Sequence, residues 1–75
     1  MEEMTTKLSC KKLTQVISIK KTEGYWRVEL RDTKNIILKV KHNTIVWQYT
    51  DYEEALSQYI SVVAQQARHI ALISL

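Results

Sequence analysis

The spacing of apolar residues in this chain changes once, and the change separates two kinds of structure. From Leu13 to Tyr49 apolar and polar residues alternate; from Tyr52 onward apolar residues recur every three or four positions. The first period distributes side chains over the two faces of a strand, the second along one stripe of a helix. With one Gly and no Pro in 75 residues, few positions can interrupt either pattern. A chain this short holds one core and buries only ~60% of its unfolded surface.

The alternating region divides at turn-forming residues. "LTQVISIK" (Leu13–Lys20) is rich in β-branched residues, with Ile17 and Ile19 on one face. "KTEG" (Lys21–Gly24) carries the glycine and reads as a hairpin turn. In "YWRVELR" (Tyr25–Arg31), Trp26, Val28 and Leu30 face one way and Tyr25, Arg27, Glu29 and Arg31 the other. "DTKN" (Asp32–Asn35) reads as a second turn. In "IILKVK" (Ile36–Lys41) the alternation sends Ile36, Leu38 and Val40 to the core and Ile37, Lys39 and Lys41 away from it. "HN" (His42–Asn43) reads as a short turn. "TIVWQY" (Thr44–Tyr49) then turns Ile45, Trp47 and Tyr49 inward.

Beyond Tyr49 the stripe Tyr52, Leu56, Tyr59, Val63, Ala67, Ile70, Ile73 advances by 4, 3, 4, 4, 3 and 3 residues. Thr50 and Glu53 have the spacing of a capping box, and Asp51, Glu53 and Glu54 suit the positive end of the helix dipole. Arg68 and His69 fall near the other end. The expected fold is therefore α+β: an antiparallel meander of three to four strands with one long C-terminal helix packed on one face. Residues 1–12 read as a polar N-terminal arm and 13–75 as a single β-β-β-β-α domain. From Asp51 to Ile73 such a helix measures ~35 Å, against ~20–24 Å for strands of six or seven residues. Either it overhangs the sheet, or it stops near Arg68 and "HIALISL" turns back. In both cases Ile70, Leu72, Ile73 and Leu75 need cover: pairing with a second copy supplies it most simply and makes them the expected partner interface, and folding back on the sheet is the alternative.

Several function classes lack their residues. Glu53 and Glu54 are adjacent on a helix and diverge by ~100°, so they cannot share a substrate as an acid–base pair. Cys10, His42 and His69 show no zinc-type spacing, and no metal or cofactor is expected. One glycine cannot build a phosphate loop, and no nucleophile sits beside a base, so the chain is not expected to be an enzyme. A lone cysteine, the absence of an ~18-residue apolar run and a polar start point to a cytoplasmic protein with no membrane partner.

The net charge of +3 permits a nucleic-acid partner without requiring one. Alternation gathers Tyr25, Arg27, Arg31, Lys39 and Lys41 on the sheet face opposite the helix, with Lys20 beside them. Cations on an open sheet suit a phosphate backbone, and Tyr25 suits a base or sugar. A solvated sheet face is also polar, and Lys on exposed strands deters aggregation. Trp26 and Trp47 fall on the core side, where packing against the helix uses them better than base stacking.

"YWRVELRD" (Tyr25–Asp32) and "YTDYEEALSQY" (Tyr49–Tyr59) together resemble the ethylene-response-factor type of DNA-binding domain. The phage-integrase arm-binding domain has a similar plan. Trp26, Glu29, Leu30, Arg31 and Asp32 match the family's strand. Tyr49, Asp51, Glu53, Glu54, Ala55 and Tyr59 match its helix. The resemblance implies a sheet laid in the major groove of DNA, with Arg27 and Arg31 as readers and Lys39 and Lys41 as neighbours. It spans roughly residues 13–72. The family's Leu-Gly before the aromatic is here Trp47-Gln48, and its Arg-rich first strand is absent.

Two functions follow as expectations. One is a small DNA-binding or DNA-regulating protein, of the sort mobile elements carry, acting through the basic sheet face on DNA rather than RNA. The other is a protein-interaction module, a homodimeric adaptor or an inhibitor, acting through the apolar end of the helix.

Overall fold

The computed structural model describes residues 1–36 and 39–75. The chain forms β1 (Met4–Ser9), β2 (Leu13–Thr22), β3 (Tyr25–Ile36), β4 (Lys39–Tyr49) and α1 (Tyr52–Ile73). The strands make one antiparallel sheet in the order β1-β2-β3-β4, and α1 packs on one face. This is the expected α+β plan, reached with a different division of the strands.

β1 comes from the segment read as an arm. Met4 lies opposite Ile19, Thr6 opposite Ile17 and Leu8 opposite Gln15. Met4 and Leu8 pack against the core while Thr5, Lys7 and Ser9 are exposed. Only two apolar residues mark the inward face, so the alternation is faint among Thr and Lys.

The β2–β3 connection falls where the glycine places it. Glu23 and Gly24 link the paired residues Thr22 and Tyr25, and Gly24 has φ 81°. No atom lies within 4 Å of where a Cβ would stand, so the left-handed backbone alone favours glycine there. The other two expected turns do not form. Asp32–Asn35 continues β3, and His42–Asn43 lies inside β4. Neither segment contains Gly or Pro, and each finds ladder partners: Asp32 faces Asn43, and Thr33 faces His42. The Thr33 hydroxyl lies 3.2 Å from His42 Nδ1. The faces expected of Ile36, Ile37 and Leu38 lie outside the described residues.

Unbroken pairing through β4 resets its faces. Tyr49, Trp47 and Ile45 stand opposite Trp26, Val28 and Leu30 on the helix side, and the same parity carries Asn43, Lys41 and Lys39 to that side. Val40 falls on the other, open side. The expectation that Lys39 and Lys41 point away from the helix, and Val40 toward it, is thereby corrected. It rested on a turn that does not exist.

The 22 residues of α1 extend ~33 Å and the 12 of β3 ~40 Å, in keeping with a longest dimension of 41 Å. The long strands remove the overhang expected from short ones, and α1 continues past Arg68 without turning back. Its course over the sheet is set by successive contacts. The Tyr52 ring meets Trp26 edge-on at 4.6 Å. The Tyr59 hydroxyl lies 2.5 Å from Thr6 Oγ1. Gln15 Nε2 donates to Gln66 Oε1 at 2.6 Å. Ile73, Ser74 and Leu75 then flank Ser9–Lys12. The helix thus ends over the β1–β2 connection, and β4 from Lys39 to Val46 stays exposed.

The core lies between. Ile17, Ile19 and Val28 are wholly buried against Ala55, Tyr59 and Val62, with Trp26 and Leu30 alongside. Burial makes the helix stripe Ala55, Tyr59, Val62 and Ile70, flanked by Tyr52, Leu56 and Val63; Ala67 and Ile73 are exposed. Asp51, not Thr50, is the N-cap: its extended backbone opens the helix and its carboxylate accepts the Glu53 N–H at 3.4 Å. Arg68 and His69 lie outside the last turn, whose C-cap Ser74 instead donates its hydroxyl to the Ile70 carbonyl at 2.6 Å. No helix among the described residues is long and apolar enough to cross a membrane.

Ile17→Ala leaves a void at the centre of the sheet and costs about 2–5 kcal/mol, measured by urea unfolding. Asp51→Ala costs ~1 kcal/mol in the same assay and Thr50→Ala less than ~0.5, a contrast that separates the two capping assignments.

Candidate nucleic-acid interface

The open face of the sheet brings four of the expected residues together. Lys20 lies opposite Arg27, and Tyr25 lies two residues along the same face of β3, opposite Thr22. Arg31 lies opposite Val16, which in turn faces Lys7 of β1. Tyr25, Arg27, Arg31 and Lys20 therefore share one surface with Lys7. Lys7 was missed because its strand was read as an arm. α1 packs on the opposite face, so this surface is uncovered.

Glu29 organises the two arginines. Its Oε1 lies 3.9 Å from Arg27 Nη2 and 3.4 Å from Arg31 Nη2. The Glu29 side chain is 16% exposed, Arg27 39% and Arg31 61%. One carboxylate thus holds two guanidinium groups along the strand while leaving the outer one largely in water. Arg27 Nε is buried without a hydrogen-bond partner. Beside Glu29 a hollow of about 70 Å³ is lined by Val16, Ser18, Lys20 and Arg31.

Lys39 and Lys41 do not join this surface. They lie on the helix side, beyond the helix, and there they meet Lys34: Lys34 faces Lys41 across the β3–β4 ladder, and Lys39 follows on the same side. All three are exposed. The two ion pairs found among the described residues both involve Glu29, on the other face. Like charges directly opposite in a ladder are destabilising. Counting parity back from Trp47 without a break would have placed these lysines correctly.

The full charge distribution is more ordered than either cluster. Lys7, Lys11, Lys12, Arg31, Lys34, Lys39, Lys41 and Arg68 occupy the half of the molecule holding the β1–β2 connection and the end of α1, with Asp32 as the one acidic side chain there. Glu2, Glu3, Glu23, Glu29, Asp51, Glu53 and Glu54 occupy the other half with Lys20, Lys21 and Arg27. The formal side-chain charge is +7 at one end and −4 at the other, together the +3 of the chain. The acidic end coincides with the positive pole of α1, and the basic end with its negative pole.

The residues expected to form a partner interface divide. Ile70 is buried within the chain and is not available to a partner. Leu72, Ile73 and Leu75 are exposed. Ile73 and Leu75 border a cleft of about 470 Å³ with Ser9, Cys10, Lys11 and Lys12. Trp26 is buried and Trp47 partly buried in the core, as the alternation required. Among the described residues no three His, Cys, Asp or Glu side chains come together as a metal would need.

Comparison of the chain with protein-family models, with curated proteins and with solved structures finds no match.

Lys34→Glu converts the Lys34–Lys41 pair into an attractive one. It raises stability by about 0.2–1 kcal/mol at low salt, and the gain shrinks as salt is added. Urea unfolding at two ionic strengths measures both effects.

Proposed function

We propose that the chain is a small, non-enzymatic DNA-binding or DNA-regulating protein that meets the phosphate backbone with the open face of its sheet. The carrying observation is the convergence of Lys7, Lys20, Arg27 and Arg31 on a face the helix does not cover, with Glu29 as the acid between the arginines. Four cations spaced along adjacent strands match a repeating anion better than a single small ligand. Tyr25 adds an aromatic at the margin of the same face. The resemblance to the ethylene-response-factor type of domain supports the same side of β3, through Arg27 and Arg31. Lys39 and Lys41, which that resemblance treats as neighbours, take no part.

Four phosphate contacts give log K against log salt a slope of about −3.6 on duplex and about −2.8 on single strands. Affinity accordingly falls ~50–150-fold between ~50 and ~200 mM salt. Anisotropy titrations with both oligonucleotide types read this slope and the strand preference. Lys7→Glu with Arg31→Glu abolishes binding, whereas Lys39→Glu with Lys41→Glu leaves most of it. Binding that survives the first pair overturns the assignment to the open face.

A second reading, a protein-interaction module, rests on Leu72, Ile73 and Leu75, which remain exposed at the end of α1. It is tested by Leu72→Lys, which on this reading releases a bound protein partner and leaves nucleic-acid affinity unchanged.

A further inference from the structure

β4 has a neighbour on one side only, and its outer edge is 11 residues long. Such an edge presents unpaired backbone N–H and C=O groups. Along it Val40 is 58% exposed and Val46 38% on the open face, with Ile45 50% exposed on the helix side. We infer that β4 pairs antiparallel with β4 of a second copy about a two-fold axis through Asn43, joining two four-stranded sheets into one.

Charge complementarity sets the direction. The charge gradient runs along the strands, from the +7 half near Lys39 to the −4 half near Asp51. Two copies joined antiparallel along β4 place the basic half of each beside the acidic half of the other. Parallel joining would set like ends together. Lys34, Lys39 and Lys41, which have no ion-pair partner on their own side among the described residues, then approach the end of the second copy that carries Asp51, Glu53 and Glu54.

The side chains set the register. A two-fold axis perpendicular to the sheet keeps each face continuous, so opposed residues share parity. With Asn43 on the axis, Val40 meets Val46 of the second copy and Val46 meets its Val40. Ile45 meets the aliphatic stem of Lys41, and Lys39 lies beside Trp47. Moving the axis to His42 puts Val40 opposite Thr44, and moving it to Thr44 puts Val40 opposite Gln48. Both shifts lose the paired valines. In none of the three registers does a lysine face a lysine. Edge lysines deter pairing with an arbitrary strand. Here they are compatible with a copy of reversed direction.

Light scattering across a concentration series tests the dimer. The expected mass is twice the 8.8 kDa of the chain. Val40→Lys with Val46→Lys sets like charges opposite in both contacts and weakens association roughly tenfold or more. Val40→Glu with Val46→Lys sets opposite charges at the same contacts and restores it. All four side chains stand on the open face, so circular dichroism of each variant reports an intact fold. Asn43→Cys in a Cys10→Ser background crosslinks on oxidation, because opposed residues of an antiparallel pair lie about 4.5–5.5 Å apart at Cα, within disulfide range. A monomer at all concentrations overturns the inference. So does a dimer indifferent to the valine variants, and one lost instead on Leu72→Lys assigns the contact to α1.

Discussion

Ala55, Tyr59 and Val62 descend onto Ile17, Ile19 and Val28, and this contact holds the molecule together. Those three sheet residues are fully buried, a state no other large side chain among the described residues reaches. β2 and β3 are thereby fixed as the central strands, and β1 and β4 become their flanks. The same contact decides which surface faces water. The even residues of β3 are committed to the helix, so Tyr25, Arg27, Glu29 and Arg31 have the open side left to them. Polar seams at Thr6–Tyr59 and Gln15–Gln66 then fix the course of the helix across the sheet. A sheet and helix held only by apolar contact could slide; directional hydrogen bonds oppose this.

The parts of the fold visible in the sequence were those with strong local signals. The helix, the Gly24 hairpin and the faces of β3 each follow from a dense periodic run or from a residue with a unique backbone preference. The parts not visible depended on distant partners. β1 has only Met4 and Leu8 to mark its inward face, and becomes a strand because β2 offers an edge. Asp32, Asn35, His42 and Asn43 are turn formers by habit, but cross-strand pairing outweighed that preference at all four. Of the candidate surface, Tyr25, Arg27, Arg31 and Lys20 were legible because they sit on or opposite β3. Lys39 and Lys41 were misplaced because one false turn inverts the parity of everything before it.

The electrostatic pattern connects the fold to the proposed function. Composition describes a mildly basic protein, while the arrangement describes a dipolar one. An anionic polymer would meet the basic half first and be oriented by the acidic half, which it avoids. Lys7 and Arg31 lie where the open face and the basic half overlap, and Lys20 and Arg27 extend that face toward the acidic end. Glu29 limits how far the two arginines can spread. The surface is therefore graded along its length, with the strongest anion attraction toward the β1–β2 connection.

β4 carries a consequence that reaches beyond its own length. Its side chains are sorted onto two surfaces by counting alone, and no bend or glycine between Lys39 and Tyr49 resets the count. Deleting one residue between Lys41 and Ile45, with the upper ladder kept, would exchange the positions of Val40 and the two lysines while leaving charge, hydropathy and helix almost untouched. The lysines would then join Arg27 and Arg31. Such a chain would look nearly identical in composition and carry a different electrostatic face, so in this architecture phase along the strand, rather than residue content, determines what the surface attracts.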